Sequence, residues 1–171
     1  MMRRFVLGII LMAPLFLMIG CGQGTAASGF TQADFYLNIG GVEYRCVDNI
    51  VTVIEKLGSD YAYAEGLSCA YDSVDKTFSY EFAEFYTNPL PEGDLVSEIY
   101  TENPAVSTSK GISVGAAKED VLKAYGEDCE DTSNLLIYRV PGANGEAGRG
   151  SLCFEMEGNE VIAIFVTTEP I

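Results

Sequence analysis

Two short stretches decide the reading of this chain: Val53-Ile-Glu-Lys-Leu-Gly58 and Val121-Leu-Lys-Ala-Tyr-Gly126. Each closes a segment with helical spacing. In the first, Ile50, Ile54 and Leu57 fall at i, i+4 and i+7; in the second, Ala117, Val121 and Tyr125 share a face. Each ends on a glycine, the residue that most easily adopts the left-handed conformation that stops a helix. Asp48 is the expected cap of the first helix. Strand-like runs follow both: "YAYAE", "SCAY", "FSYEF", "EFYTN" and "LVSEIYT" after Gly58, then "NLLIYRV", "SLCFEME" and "VIAIFVTT" after Gly126.

The closing runs also match. Val96-Ser-Glu-Ile99 and Val161-Ile-Ala-Ile164 share V-x-x-I, and both precede Thr-Glu near a proline. The order of helix, glycine stop, strands and closing strand therefore occurs twice. Short turns join the strands, leaving no room for helical crossovers, so the sheet is expected to be antiparallel. The expected class is α+β: two tandem helix-plus-antiparallel-strand repeats, 34–104 and 105–171, with helices on one face of the sheet. Gly40-Gly41 and Gly158-Asn159 mark tight hairpins. "GANGEAGRG" at 142–150 lacks the lysine of a phosphate loop and reads as a hairpin loop.

Upstream, residues 1–20 have the layout of an export signal: Arg3 and Arg4, then an uncharged apolar run from Phe5 to Ile19. Gly8 and Pro14 interrupt that run, which is shorter than the roughly 20 residues of a membrane span. Cleavage after Ala27 would give a free protein. Cleavage before Cys21, in "MIGC", would give a lipid-modified one, and that site is favoured because it accounts for an otherwise isolated thiol. A diacylglycerol on Cys21 supplies the two chains that stable attachment needs. The small, uncharged residues after it make 21–33 a flexible tether. The expected place is the extracytoplasmic face of a cell membrane.

The chain has 171 residues, a net charge of −15 and no histidine or tryptophan. Without Arg3 and Arg4 the charge moves to −17. Such a surface repels nucleic acid and anionic lipid, and suits a partner with a basic patch. The missing histidine removes Ser-His-Asp and Cys-His catalysis and most catalytic zinc sites. Nineteen aromatic residues, 10 Tyr and 9 Phe, set the chain apart from a disordered acidic tail.

The residues "GLSCAY…DKTFSY…YTNP…STSKGISVGAAKEDVLKAYG" resemble those of a group of uncharacterised lipoproteins from Gram-positive bacteria, over most of 35–164. The unit of helix, Tyr-Gly and strands is similar to the tandem repeat of β-lactamase-inhibitory-protein-like domains and to SmpA/OmlA-type envelope lipoproteins. The resemblance implies α/β repeats sharing a curved sheet whose face grips a protein. It brings no catalytic residues.

Four further cysteines form an even set in an exported chain. Three pairings exist, and Cys46–Cys69 with Cys129–Cys153 is the simplest, each closing a loop of about 25 residues worth roughly 3 kcal/mol. Reduced, buried cysteines are the alternative. Phe78, Tyr80 and Phe82 alternate along one run, with Tyr61, Tyr63 and Tyr71 before them; they make either a binding platform or the packed side of the sheet. Glu127, Asp128, Glu130 and Asp131 crowd one loop without calcium-loop spacing. Asp72, Asp75 and Asp94 are carboxylates beside aromatics, as a glycosidase needs. The functional expectation is a non-enzymatic protein- or peptide-binding module at the envelope, with no cofactor. The rivals are a carboxylate-based hydrolase of wall sugars and a structural spacer.

Overall fold

The computed structural model describes residues 29–142 and 147–168. Residues 1–28, which hold the export signal and Cys21, lie outside the described residues, as do 143–146 of the glycine-rich loop.

A 3-10 turn at Gln32–Asp34 leads into β1 (Leu37–Ile39), β2 (Val42–Tyr44) and helix α1 (Ile50–Leu57). Four strands follow: β3 (Ala62–Leu67), β4 (Val74–Ser79), β5 (Glu84–Leu90) and β6 (Gly93–Thr101). Then come β7 (Ser107–Thr108), helix α2 (Lys118–Tyr125), β8 (Glu130–Asp131), β9 (Leu135–Pro141), β10 (Ala147–Glu157) and β11 (Glu160–Thr167). The large sheet has the order β3-β4-β5-β6-β11-β10-β9-β8, and a small one has β2-β1-β7. All pairings are antiparallel. The large sheet is thus two four-stranded meanders joined where β6 meets β11, Ile99 opposite Val166 and Thr101 opposite Ile164.

The expected α+β layering is corrected. Of the described residues, 49% are strand and 14% helix, so the protein is mostly β, with two antiparallel sheets rather than helix-plus-strand repeats with a helical face. The reason is one of size. A helix of eight residues is about 12 Å long, whereas eight strands span roughly 34 Å. The small sheet supplies much of the missing cover. Leu37, Ile39 and Tyr44 from it, with Val106 and Ile112, pack against Phe85, Ile99, Leu136, Leu152, Phe154, Ile164 and Val166 of the large sheet. Val53 of α1, and Val121 and Tyr125 of α2, complete the same core.

Both helices stop as their glycines require, with Gly58 at φ 86° and Gly126 at φ 87°. Each stop is also tied to the sheet. The phenol of Tyr80 donates to the Gly58 carbonyl at 2.9 Å, and that of Tyr138 to the Gly126 carbonyl at 2.8 Å. Asn49, not Asp48, caps α1, its side chain accepting from the Val51 N–H at 3.0 Å. Asp48 accepts from the Arg45 N–H instead. "SCAY" is a bend, not a strand, and Tyr80 to Phe82 belong to the β4–β5 turn.

Candidate functional site

In an antiparallel sheet, residues directly opposite share a face. Along the large sheet one row runs Tyr63, Phe78, Phe85, Ile99, Val166, Leu152, Tyr138 and forms the core face. The neighbouring row runs Ala62, Ser79, Glu84, Tyr100, Phe165, Cys153, Ile137, Glu130 on the other face. A parallel row adds Thr77, Tyr86, Glu98, Thr167, Ser151 and Arg139. This second face points away from the core and is the candidate site.

Its centre is aromatic and its margin acidic. The rings of Tyr100 and Phe165 lie 6.2 Å apart, tilted by 30°. Each tyrosine hydroxyl is held by a carboxylate: Tyr86 donates to Glu84 and Tyr100 to Glu102, the latter at 2.8 Å. Glu84 also accepts from the Ser79 hydroxyl at 2.9 Å. Burial, followed by the hydrogen bond to the glutamate, raises the pKa of both phenols, so they stay neutral donors. Beneath Phe165, Cys153 is fully buried, and burial pushes its thiol far up. Arg139 pairs with Glu130 at 2.8 Å. A cleft of about 430 Å³ opens at the Glu84–Tyr100 end, lined among others by Glu81, Phe82, Glu102 and Pro104. A second, apolar hollow of about 460 Å³ lies on the far side of Phe82, between Val42, Tyr44, Leu57 and Val106.

The arrangement offers hydrogen-bond acceptors, negative charge and flat aromatic surface, which together suit a cationic, partly apolar ligand.

The residues singled out in the sequence fall elsewhere. Phe78 and Tyr80 are buried at 5% and 7% exposure, so the packed-side alternative holds for them. Tyr61 and Phe82 pack partly against the same core. Tyr63 and Tyr71 are exposed, Tyr63 on the core-face side of the edge strand and Tyr71 in the β3–β4 turn. The hydrogen bond from Tyr63 to Glu65 lifts its pKa to about 12.

Among the described residues the structure draws no bridge between Cys46, Cys69, Cys129 and Cys153. The Cys46 sulfur lies 3.3 Å from the Ser97 carbonyl oxygen on β6 and 3.4 Å from that of Val166 on β11, both within reach of its one hydrogen. Cys69 sits in the β3–β4 turn, at least two strand spacings or about 10 Å away, beyond the reach of about 7 Å between disulfide Cα atoms. Cys129 packs on the core side, whereas Cys153 faces the opposite side of the sheet.

The carboxylates do not converge either. Asp94 pairs with Lys76 at 2.6 Å, while Asp75, next in sequence to Lys76, points to the other face. Asp72 lies in the turn. In the acidic loop Glu130 pairs with Arg139, and Asp131 with Lys118 at 2.8 Å. Among the described residues no three metal-ligating side chains come together.

Tyr86, Tyr100, Phe165, Glu84 and Glu98 were not singled out in the sequence. A signal exists in "EFYTN" and "SEIYT", where Glu and Tyr alternate with Phe, Thr and Ile. Comparison with known proteins finds no family model, no curated protein and no solved structure that matches the chain.

Proposed function

We propose that the protein is an extracytoplasmic lipoprotein, anchored through Cys21, that binds a basic protein or peptide on the open face of its large sheet without catalysing a reaction. The observation that carries this reading is the alignment of Tyr86, Tyr100 and Phe165 with Glu84, Glu98 and Glu102 on the face turned away from the core. Tyrosine is a favoured interface residue, because a large ring gains contact area at little entropic cost while its hydroxyl keeps a polar partner. The net charge of −15 adds long-range attraction for a cationic partner. The basic head, apolar run and "MIGC" of the leader support the anchor.

The test uses the full chain as bait in an extract of its own envelope. Tyr100→Ala is expected to lose the partner while the melting temperature stays within a few degrees of the parent, and the parent complex is expected to dissociate as salt rises. Labelled palmitate is expected to enter the parent and not Cys21→Ala. Turnover of a wall sugar, abolished by one carboxylate substitution, overturns the reading.

A further inference from the structure

The two edges of the large sheet are built differently. At one end β8 is only two residues long, and both are acidic. Short length and charge are the usual ways of blunting an edge. At the other end β3 has six residues, Ala62-Tyr-Ala-Glu-Gly-Leu67, all exposed. It contains no lysine, arginine or proline, and its pairing with β4 runs through six consecutive residue pairs without a bulge. Leu67 is 88% and Tyr63 50% exposed. The outer edge of β3 has no strand beside it among the described residues. That is an undefended template for an added strand.

The side chains of β3 alternate in a way that favours one approach. Ala62, Ala64 and Gly66 fall on the open-face side, opposite Ser79, Thr77 and Asp75 of β4. Gly66 is the unusual member. Its backbone is not left-handed, and a Cβ placed there would meet nothing within 4 Å. Neither backbone conformation nor packing within the chain therefore calls for glycine, which otherwise weakens a strand. The space above Gly66 is left clear on the open face, directly across from Asp75 on β4. The carboxylate of Asp75 has one oxygen, Oδ1, that is buried without a hydrogen-bond partner among the described residues. An under-satisfied carboxylate of this kind is stabilised by a cation brought alongside it.

We propose that β3 is a docking edge for an extended basic strand of another protein, which pairs with Ala62–Leu67 and lays a lysine or arginine side chain across Gly66 towards Asp75. This rests on the reading of a basic partner and specifies how it attaches. Charge selects the occupant. A second copy pairing through the same edge would set one acidic margin, with Asp60, Glu65, Asp72 and Asp75, against another, an isologous contact between like charges. A basic strand meets the same groups with opposite charge.

The experiment uses the full chain with a short synthetic peptide of alternating lysine and valine, and a glutamate–valine peptide as control. Hydrogen exchange is followed residue by residue. The expected result is new protection of β3 amides with the lysine peptide and none with the control. Gly66→Val is expected to abolish that protection without lowering the melting temperature, because valine suits a strand but fills that space. Asp75→Asn is expected to weaken binding by about tenfold, the equivalent of one charge-assisted hydrogen bond. Binding that is lost in Tyr100→Ala but leaves β3 amides unprotected overturns the edge proposal while the open-face reading stands. Protection of β3 that grows with protein concentration in the absence of peptide assigns the edge to a second copy and overturns the proposal. Absence of binding overturns both readings.

Discussion

Tyr80 shows how one side chain stays ambiguous when the alternation of a run is known but the covered face is not. In the sequence it stands among alternating aromatics, which fit a platform as well as a core. In the fold its ring stacks on Phe82 at 5.4 Å and meets Phe85 at 5.8 Å, while its hydroxyl bonds the Gly58 carbonyl. Tyr80→Ala is therefore expected to cost about 3–5 kcal/mol, the range for large aromatic truncation in a core. Tyr80→Phe is expected to cost about 1 kcal/mol for the lost hydrogen bond; urea unfolding measures both. Burial raises the pKa of Tyr80 to about 12 from 10.0. Between these values the unfolded chain releases a proton that the folded chain keeps, so stability falls as pH rises through this window and is fully present below it. Unfolding midpoints at a series of pH values from about 9 upwards should decline in the parent and less steeply in Tyr80→Phe. Periodicity alone supplies the alternation of Phe78, Tyr80 and Phe82 but not the choice of face, because that depends on which neighbours cover the sheet.

Elements with local chemistry were legible. Both helices, their glycine stops and the Gly40-Gly41 and Gly158-Asn159 hairpins lie where the sequence puts them. The cap of α1 was misassigned by one residue because Asp48 and Asn49 are both good caps, and only the Arg45 turn claims the aspartate. "SCAY" carries strand-like residues, yet Ser68 makes a turn there, its hydroxyl accepting from the N–H groups of Ala70 and Tyr71. The cap of α1 leans on a distant hairpin. Gly93, at φ 125°, opens β6, and a Cβ on it would lie 2.8 Å from the Asn49 side-chain nitrogen. Gly93→Ala is thus expected to strain the hairpin and displace the cap together, lowering stability by about 1–3 kcal/mol. A double variant with Asn49→Ala should cost less than the sum of the two single changes in thermal unfolding, because the steric conflict and the cap are then lost once.

At the scale of the whole molecule, the order of strands was partly readable and the layering was not. Short turns required antiparallel neighbours, and the meanders β3 to β6 and β8 to β11 follow from them. The small sheet escaped notice because β1 and β7 lie far apart in sequence and β7 has two residues. The cysteine pairing rests on spacing along the chain, which says nothing about which face of a sheet a residue occupies: Cys129 packs on the core side and Cys153 on the other. With Cys46 and Cys153 at 2% and 0% exposure and Cys69 exposed, a thiol reagent is expected to modify Cys69 rapidly in the folded protein and the two buried residues only on unfolding. Intact mass should not change on reduction, and a loss of four hydrogens in the unreduced protein would contradict the thiol state.

The junction of β6 and β11 also has a mechanical meaning. The two meanders share only four registered residue pairs, Glu98–Thr167 to Thr101–Ile164, extended by the Thr168 N–H and hydroxyl, which both donate to the Ser97 carbonyl. The chain enters by way of Gly29, whose carbonyl is tied to Lys110 near the end of α2, while the open edge lies on the outermost strand of the other meander. Tension between an anchor and a captured strand would run across this seam at right angles to its strands. Hydrogen bonds loaded in that direction break in succession rather than all at once, and the seam, unlike the equally short β4–β5 pairing, is not backed by a hairpin turn, so it is the place where the molecule would yield under a pull.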